Sequence, residues 1–517
     1  MKKFISVILS AIVLFSAFAV VNVSVSAEES KSDFEYNVLS NNTASLTSYD
    51  GSSKSIAVPA RIDGYTVTTI SSDCFAYNTE LENVVIPSSV TSIGSFAFYD
   101  CKSLRTVTIP DSVTSIRSSA FFDCESLEKA RLPKGLTEID DCIFFGCKRL
   151  AEINIPDKVR SIGANAFLDC ESLKKISMPN SVRTIGKSAF SGAKSLEEVK
   201  LSSELKKIPS SAFSDTESLS KIKLPKNVKE ISSIAFYNSG IKSVSLSRYV
   251  KKLGEYAFGN CKSLTKITVN KKNTAFSSKK GVLFNKKKST LITYPAGKSS
   301  KSYTTPKSLR TIKDKAFEGN QKLSTLKLSK GLKTIESEAL QATAIAKLNL
   351  PGTLKTIGQN AFYECKNLKK VKLPSSVTKV CSKAFSDCDN LRSVNFKGNK
   401  SLSLGHEIFA NCKLLKKTVY PVCKKSGGMM FYNCKSLSKV SISSNVKKIY
   451  EEDFAECPRL KKITIPSSVK SIGKYAVGYV NYYDGEYDKN FDLTIKCKKG
   501  SAAYKYAKKN DFDYKKL

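Results

Sequence analysis

Apolar positions along this chain follow neither the helical period nor simple alternation; they recur at intervals of 22 to 24 residues, 23 in most coils. An aromatic or aliphatic anchor occupies Phe75, Phe98, Phe121, Phe144, Phe167, Phe190, Phe213, Phe236 and Phe258, and resumes at Phe317, Leu340, Phe362, Phe385, Phe409, Phe431, Phe454 and Val477. Such a period marks an array of small units, although 517 residues would otherwise suggest several globular domains. One unit, Leu104 to Cys124, reads LRTVTIPDSVTSIRSSAFFDC and keeps Leu104, Val107, Ile109, Val113, Ile116, Ala120, Phe121 and Cys124 apolar or small. The Val107-x-Ile109 step is strand alternation, closed by Pro110 at a corner where a missing N–H matters little. Val113-x-x-Ile116 returns along another side, and Ala120-Phe121 is expected to begin a short helical turn. Eight inward side chains cannot be covered by 23 residues alone, so the units must stack. The strands then pair in a parallel sheet at roughly 4.8 Å per coil, and about 17 coils make a rod or arc on the order of 80 Å long.

The recurring pattern AFxxCxSLxxVxIPxSVxxIGxxAF resembles the BspA-type leucine-rich repeats of secreted bacterial surface proteins, over residues 34–517. The resemblance implies a leucine-rich-repeat solenoid of about 17 coils of about 23 residues. A parallel β-sheet forms one face, with short strands, turns and short helical turns on the others. It also implies adhesion to host proteins, other cells or wall material, without a shared catalytic site. Two coils depart from the pattern: the third has Arg131 in its strand, and the one around Lys416 to Gly428 loses IPxSV.

Outside the regular coils, residues 1–27 read as a signal peptide: Lys2 and Lys3, an apolar stretch from Phe4 to Val20, and Val25-Ser26-Ala27 before a cut at Glu28. No later segment is long and apolar enough to span a membrane, and no C-terminal anchor motif is evident, so a secreted chain held non-covalently at a cell surface is expected. Residues 28–74 form an N-terminal cap or degenerate coil, including Ile56 to Pro59 and Val67 to Ile70. Residues 75–269 and 306–490 are the two halves of the solenoid. Between them, 270–305 hold GVLFNKKKSTLITYP, Gly281 to Pro295, a Lys-rich hairpin whose polar tip is expected to leave the solenoid. Residues 491–517 cap the end: Phe491 to Ile495 add a last strand, and Ser501 caps a short helix with Ala503, Tyr506 and Ala507 on one face. Tyr479, Tyr482, Tyr483 and Tyr487 make a Tyr-rich loop, read either as part of this cap or as an exposed contact patch.

Charge changes the picture more than composition does. Residues 1–260 hold 31 Lys and Arg against 28 Asp and Glu, a net +3, whereas residues 261–517 hold 53 against 18, a net +35. In each strand L-x-x-V-x-I the two positions flanking Val face outward and form columns along the sheet. They carry Lys129, Arg131, Lys175, Lys200, Lys221, Lys223, Lys266, Lys327, Lys347, Lys370, Lys372, Lys417, Lys439 and Lys462, with Glu152 and Glu198 the only acids and no aromatic. Repeated lysine suits weak multivalent contact with a polyanion, or serves only to keep a flat sheet soluble. The expected function is therefore an extracellular, non-catalytic binding or adhesion protein whose basic face meets an extracellular protein or an anionic cell-wall or host glycan. The alternative is a secreted acidic-glycan-binding module. A secreted address argues against nucleic acid, and the oligomeric state stays open.

Little else in the chain offers chemistry. His406, the one histidine, sits in a Ser401-Leu402-Ser403-Leu404-Gly405 loop context. Of the fifteen cysteines ten fall three residues after an anchor, among them Cys101, Cys124, Cys147 and Cys170. In other coils Asn78, Ala193, Thr216, Ser239 or Thr343 takes that slot, which therefore demands a small buried side chain and not a metal ligand. Disulfides between stacked coils remain open on distance. Asp140-Asp141 and Glu451-Glu452-Asp453 read as solvated charge runs. No phosphate-cradling glycine loop occurs, and neither catalytic residues nor a cofactor or metal site is expected.

Overall fold

The computed structural model describes residues 33–517 except 319, 397, 399–401 and 484–485; the expected leader lies outside the described residues. The chain winds as a parallel β-solenoid of about 20 turns. The turns exceed the seventeen anchors because the terminal segments add coils of their own.

Each coil contributes two very short strands. The Val-slot strands Asn83–Val85, Thr106–Thr108, Lys129–Ala130 and Glu152–Ile153 pair in parallel, each in register with the strand one coil away. The following S-I strands, such as Glu138–Ile139, Ser161–Ile162 and Thr184–Ile185, form a second parallel ladder. Branched residues at Val107 and Ile116 point inward from both ladders and are almost fully buried.

The third side carries the anchors. Where short helical turns were expected, each coil makes two tight turns: Phe122 N–H donates to the Ser119 carbonyl and Cys124 N–H to that of Phe121. Ser119 and Asp123 both have positive φ, 60° and 55°, which stops a helix from propagating. The second left-handed position recurs as Asp100, Asp123, Asp169, Asp215, Asn238 and Asn260, residue types that tolerate this conformation. Its N–H bonds across coils, as from Asp100 to the Phe122 carbonyl at 2.8 Å.

Inside, the anchors stack face to face. From Phe75 to Phe258 consecutive ring centroids lie 4.8 to 5.6 Å apart and tilt by no more than 12°. The small slot three residues on has a reason beyond size. The Cys101, Cys124, Cys147 and Cys170 thiols each donate to the anchor carbonyl of the preceding coil at 3.0 to 3.1 Å. Thr216 and Thr343 instead donate to their own anchor carbonyl. All fifteen cysteines are free.

The insertion does not leave the stack as a projecting hairpin. Phe276–Lys279, Val282–Asn285 and Thr290–Thr293 form an antiparallel meander whose last strand continues the second ladder through Thr311–Ile312. Val282, Leu283, Phe284 and Leu291 are wholly buried, so the meander reaches solvent at its turns, at Lys279 and Lys280 and again at Lys286 and Lys287. The meander divides the interior into two apolar clusters, Phe34 to Leu283 and Val282 to Phe512.

Both open ends are closed. Phe34–Leu39 and Thr43–Tyr49 form an antiparallel hairpin over the first coil. At the far end Thr494–Cys497 pairs with Lys462–Thr464, and Asp513–Lys516 adds a further strand. Phe491 lies outside that strand and is 80% exposed. The helix Ala502–Lys509 is capped by Ser501, which accepts from Tyr504 N–H, and buries Ala503 and Ala507.

Candidate functional site

Stacking in register turns the outward residues of the Val-slot strands into columns that run through a series of short parallel ladders. Thirteen of the fourteen basic residues expected there are exposed; Arg131 is half-buried. Its guanidinium donates to both Asp111 carboxylate oxygens, at 3.0 and 2.9 Å. The Lys134 N–H and Arg131 together hold the Asp111 carboxyl below its ordinary value. Arg131 is thereby committed within the protein and does not belong to an open basic face.

The two halves of the main column differ in a way their residue counts conceal. In the N-terminal half Lys129 pairs in register with Glu152, and Lys175 with Glu198, which faces Lys221 in turn. Lys175 Nζ lies 2.8 Å from Glu198 Oε2. Across strands this alternation offsets charge along that one column, while Lys200 and Lys223 beside it stay exposed.

In the C-terminal half the acids are gone. Lys370 faces Ser393, then Lys417, then Lys439, with Lys347 and Lys462 in the neighbouring ladders. Among the described residues none of these lysines, nor Lys327 or Lys372, has an ion-pair partner. A third exposed column precedes the strands: Arg392 N–H bonds to the Lys369 carbonyl, and Lys416 N–H to that of Arg392. Lys496 and Lys515 carry the second column onto the cap. Lys496, diagonally across from it on the next strand, and Lys515 beyond hold the Lys462 ammonium below its ordinary value. Reading only the positions beside the Val slot misses these flanking cations, although their spacing of about one coil was open to view.

The four tyrosines of the expected loop part company. Tyr479–Tyr483 and Glu486–Lys489 form an antiparallel hairpin on the anchor side. Tyr479 is buried and donates to Asn510 Oδ1; Tyr487 is half-buried and donates to Glu452 Oε2 at 2.7 Å. Tyr482 and Tyr483 are 54% and 82% exposed. Tyr479 and Tyr487 are thus built into the cap, and Tyr482 and Tyr483 stay open to solvent.

Asp453 corrects the reading of Glu451-Glu452-Asp453 as a solvated run. It stands one residue before the anchor Phe454, in the slot filled by Ala120 and Ala166 elsewhere, and so points inward and is fully buried. Its carboxylate accepts from Tyr420 Oη, Tyr450 N–H and Met430 N–H. Burial nevertheless pushes its carboxyl up to about 6. Tyr420 comes from the irregular coil that lost IPxSV, so the two departures from the repeat compensate each other.

His406 is half-exposed, its Nδ1 3.0 Å from Glu407 Oε1. Among the described residues no group of three or more His, Cys, Asp or Glu is placed to hold a metal ion, and no helix is long and apolar enough to cross a membrane.

The model of the BspA type leucine-rich repeat region matches this chain over residues 68–197, 183–300, 296–416 and 397–487. Among solved structures it is similar to a leucine-rich cell surface protein of Faecalibacterium prausnitzii, at 24% identity and TM-score 0.48, covering 80% of this chain and 93% of that one. A leucine-rich-repeat protein of Bacteroides ovatus gives 20% and 0.41, covering 94% and 98%. The pneumococcal vaccine antigen PcpA gives 20% and 0.39, covering 94% and 96%. No curated protein matches.

Proposed function

Because this chain belongs to the BspA-type leucine-rich-repeat family, whose matches run through most of its length, we propose that it is a non-catalytic binding protein of the bacterial exterior that grips an anionic polymer with its C-terminal lysine columns. The observation that carries the reading is the unpaired column of Lys347, Lys370, Lys417, Lys439 and Lys462, set against the acid-bearing column of Lys129, Glu152, Lys175, Glu198 and Lys221. Solubility alone would be served equally by both columns; the C-terminal one carries no acid to offset its charge. Successive strands lie about 4.8 Å apart, so a linear polyanion aligned with the solenoid axis meets a cation at most coils. The family's repeat-based binding or adhesion role, and its generally extracellular or surface-associated location, support this reading.

The test is binding of the full chain to a wall-type polyanion and, separately, to a sulfated glycan such as heparin, across a range of salt. Each lysine against an anionic surface contributes about 1 kcal/mol, so replacing Lys370, Lys417 and Lys439 by Gln should weaken binding about a hundredfold. Raising ionic strength should have a similar effect. Preference for heparin would favour the acidic-glycan module over the wall-bound adhesin. Binding that ignores both salt and these substitutions would remove the charge-based reading.

A further inference from the structure

The hairpin Tyr479–Tyr483/Glu486–Lys489 is fastened to the solenoid more firmly than a surface loop requires. Tyr482 N–H donates to Glu456 Oε1 at 2.7 Å, and Tyr487 Oη donates to Glu452 Oε2 at 2.7 Å. The Tyr487 ring packs against Tyr475 at 5.0 Å and Tyr482 at 4.7 Å. Two carboxylates and an aromatic cluster therefore fix the strands, and a different set of side chains is left facing water.

That outward set is Asn481, Tyr483, Glu486 and Asp488, which with Tyr487 border a shallow cleft of about 530 Å³. Tyr483, 82% exposed, is the most exposed large hydrophobic side chain among the described residues, and none of their rings packs on it. Asn481 Nδ2 donates to Asp488 Oδ2 at 3.3 Å across the hairpin, which orients the amide and leaves the other carboxylate oxygen open. No lysine lines the cleft, although the surrounding half of the chain carries a net +35.

These features select a ligand by exclusion. An anionic group would meet Glu486 and Asp488 at contact distance. A cationic peptide would have to approach through the positive field of the C-terminal half, at a cost that rises as salt falls. An uncharged polyhydroxylated ring suffers neither penalty. Its hydroxyls donate to carboxylates in charge-assisted bonds, and its apolar C–H face lies on an open tyrosine ring. We propose that this cleft is a binding subsite for a neutral pyranose, stacked on Tyr483 and held through its hydroxyls by Asn481, Glu486 and Asp488. The chain would then have two sugar- or polymer-directed surfaces of opposite electrostatic character, and this one does not depend on the lysine columns.

The experiment uses the full chain and a panel of uncharged trisaccharides: tri-N-acetylchitotriose, cellotriose, maltotriose and a β-galactose trisaccharide. Saturation-transfer NMR and calorimetry are run at about 0.5 M salt, where contacts to the lysine columns are screened. At least one sugar should bind, with affinity unchanged within about twofold when salt falls to about 0.05 M. Tyr483→Ala should weaken that binding about tenfold or more, and Glu486→Gln or Asp488→Asn should weaken it by a similar factor. Lys417→Gln with Lys439→Gln should leave it unchanged, which separates this site from the proposed polyanion face. Tyr483 is too exposed for its loss to unfold the chain. Failure of every sugar in the panel, or a Tyr483→Ala variant that binds as the parent does, would overturn the proposal.

Discussion

Replacing Phe167 tests the stacked interior most directly. Phe167 is fully buried, with Phe144 and Phe190 on either side at 5.6 and 5.2 Å, nearly parallel to both. Truncation of a core phenylalanine to alanine costs about 3 to 5 kcal/mol, more where the site cannot collapse. Here it cannot. Cross-coil bonds from Phe144 N–H to the Ala166 carbonyl and from Phe167 N–H to that of Ala189, both 2.9 Å, hold the flanking coils apart. Phe167→Ala should therefore cost close to 5 kcal/mol. Phe167→Leu keeps most of the volume, as Leu340 does in its own coil, and loses two ring contacts of about 0.5 to 1.5 kcal/mol each. Its expected cost is about 1 to 3 kcal/mol. Urea unfolding under reducing conditions, followed by far-ultraviolet circular dichroism, gives both values from midpoints and slopes. An alanine variant within about 1 kcal/mol of the parent, or no difference between alanine and leucine, would show that the ring ladder is not what binds coil to coil.

Three further outcomes follow from particular residues. Burial pushes the Cys101 thiol up to about 12 and those of Cys261 and Cys365 up to about 11, so the native chain at neutral pH should alkylate only at the partly exposed Cys142, Cys381 and, slowly, Cys423. Denatured without reductant, all fifteen should label by mass; a smaller number would reveal disulfides. For Asp453 the folded value of about 6 lies above the unfolded value of about 4, so its contribution is fully present below about pH 4 and is lost as pH rises through 6. The swing is about 3 kcal/mol, and Tyr420→Phe, which removes one donor to the carboxylate, should shift its midpoint upward; unfolding free energies that are flat between about pH 4 and 7 would contradict this. Ser501→Ala should cost the terminal helix about 1 kcal/mol, seen as faster amide exchange from Tyr504 onward with the coils before Phe454 unaffected.

How much of this the residues announced beforehand depended on whether a signal lay within one coil or between coils. The anchor spacing from Phe75 to Phe236 and the Val107-x-Ile109 step are features of a single coil, and both ladders follow from repeating them. The alternation of Lys129, Glu152, Lys175, Glu198 and Lys221 is visible only when coils are laid over one another, and treating those residues as one basic face hid the contrast between the halves. Asp453 was obscured by Glu451 and Glu452 beside it, although its place one residue before Phe454 already put it in an inward slot. The GVLF run reads as the arm of a free hairpin, because no local pattern tells an inserted strand that joins the stack from one that leaves it. Left-handed turns at Ser119 and Asp123 were missed for a related reason: Ala120-Phe121 has good helix formers, and the conformation is imposed by bonds to the next coil.

The meander at residues 276–293 has a mechanical meaning. In a stack each layer leans only on its neighbours, so a pull along the axis is carried in series and the weakest joint decides where it yields. Here the column of parallel rings stops at Phe258 and starts again with Tyr294 on Phe317, and the two oily interiors divide between Val282 and Leu283. A molecule whose cationic end is fastened to a surface while its other end is dragged away would part at this joint first, lengthening by release of the meander while both halves keep their shape and their grip.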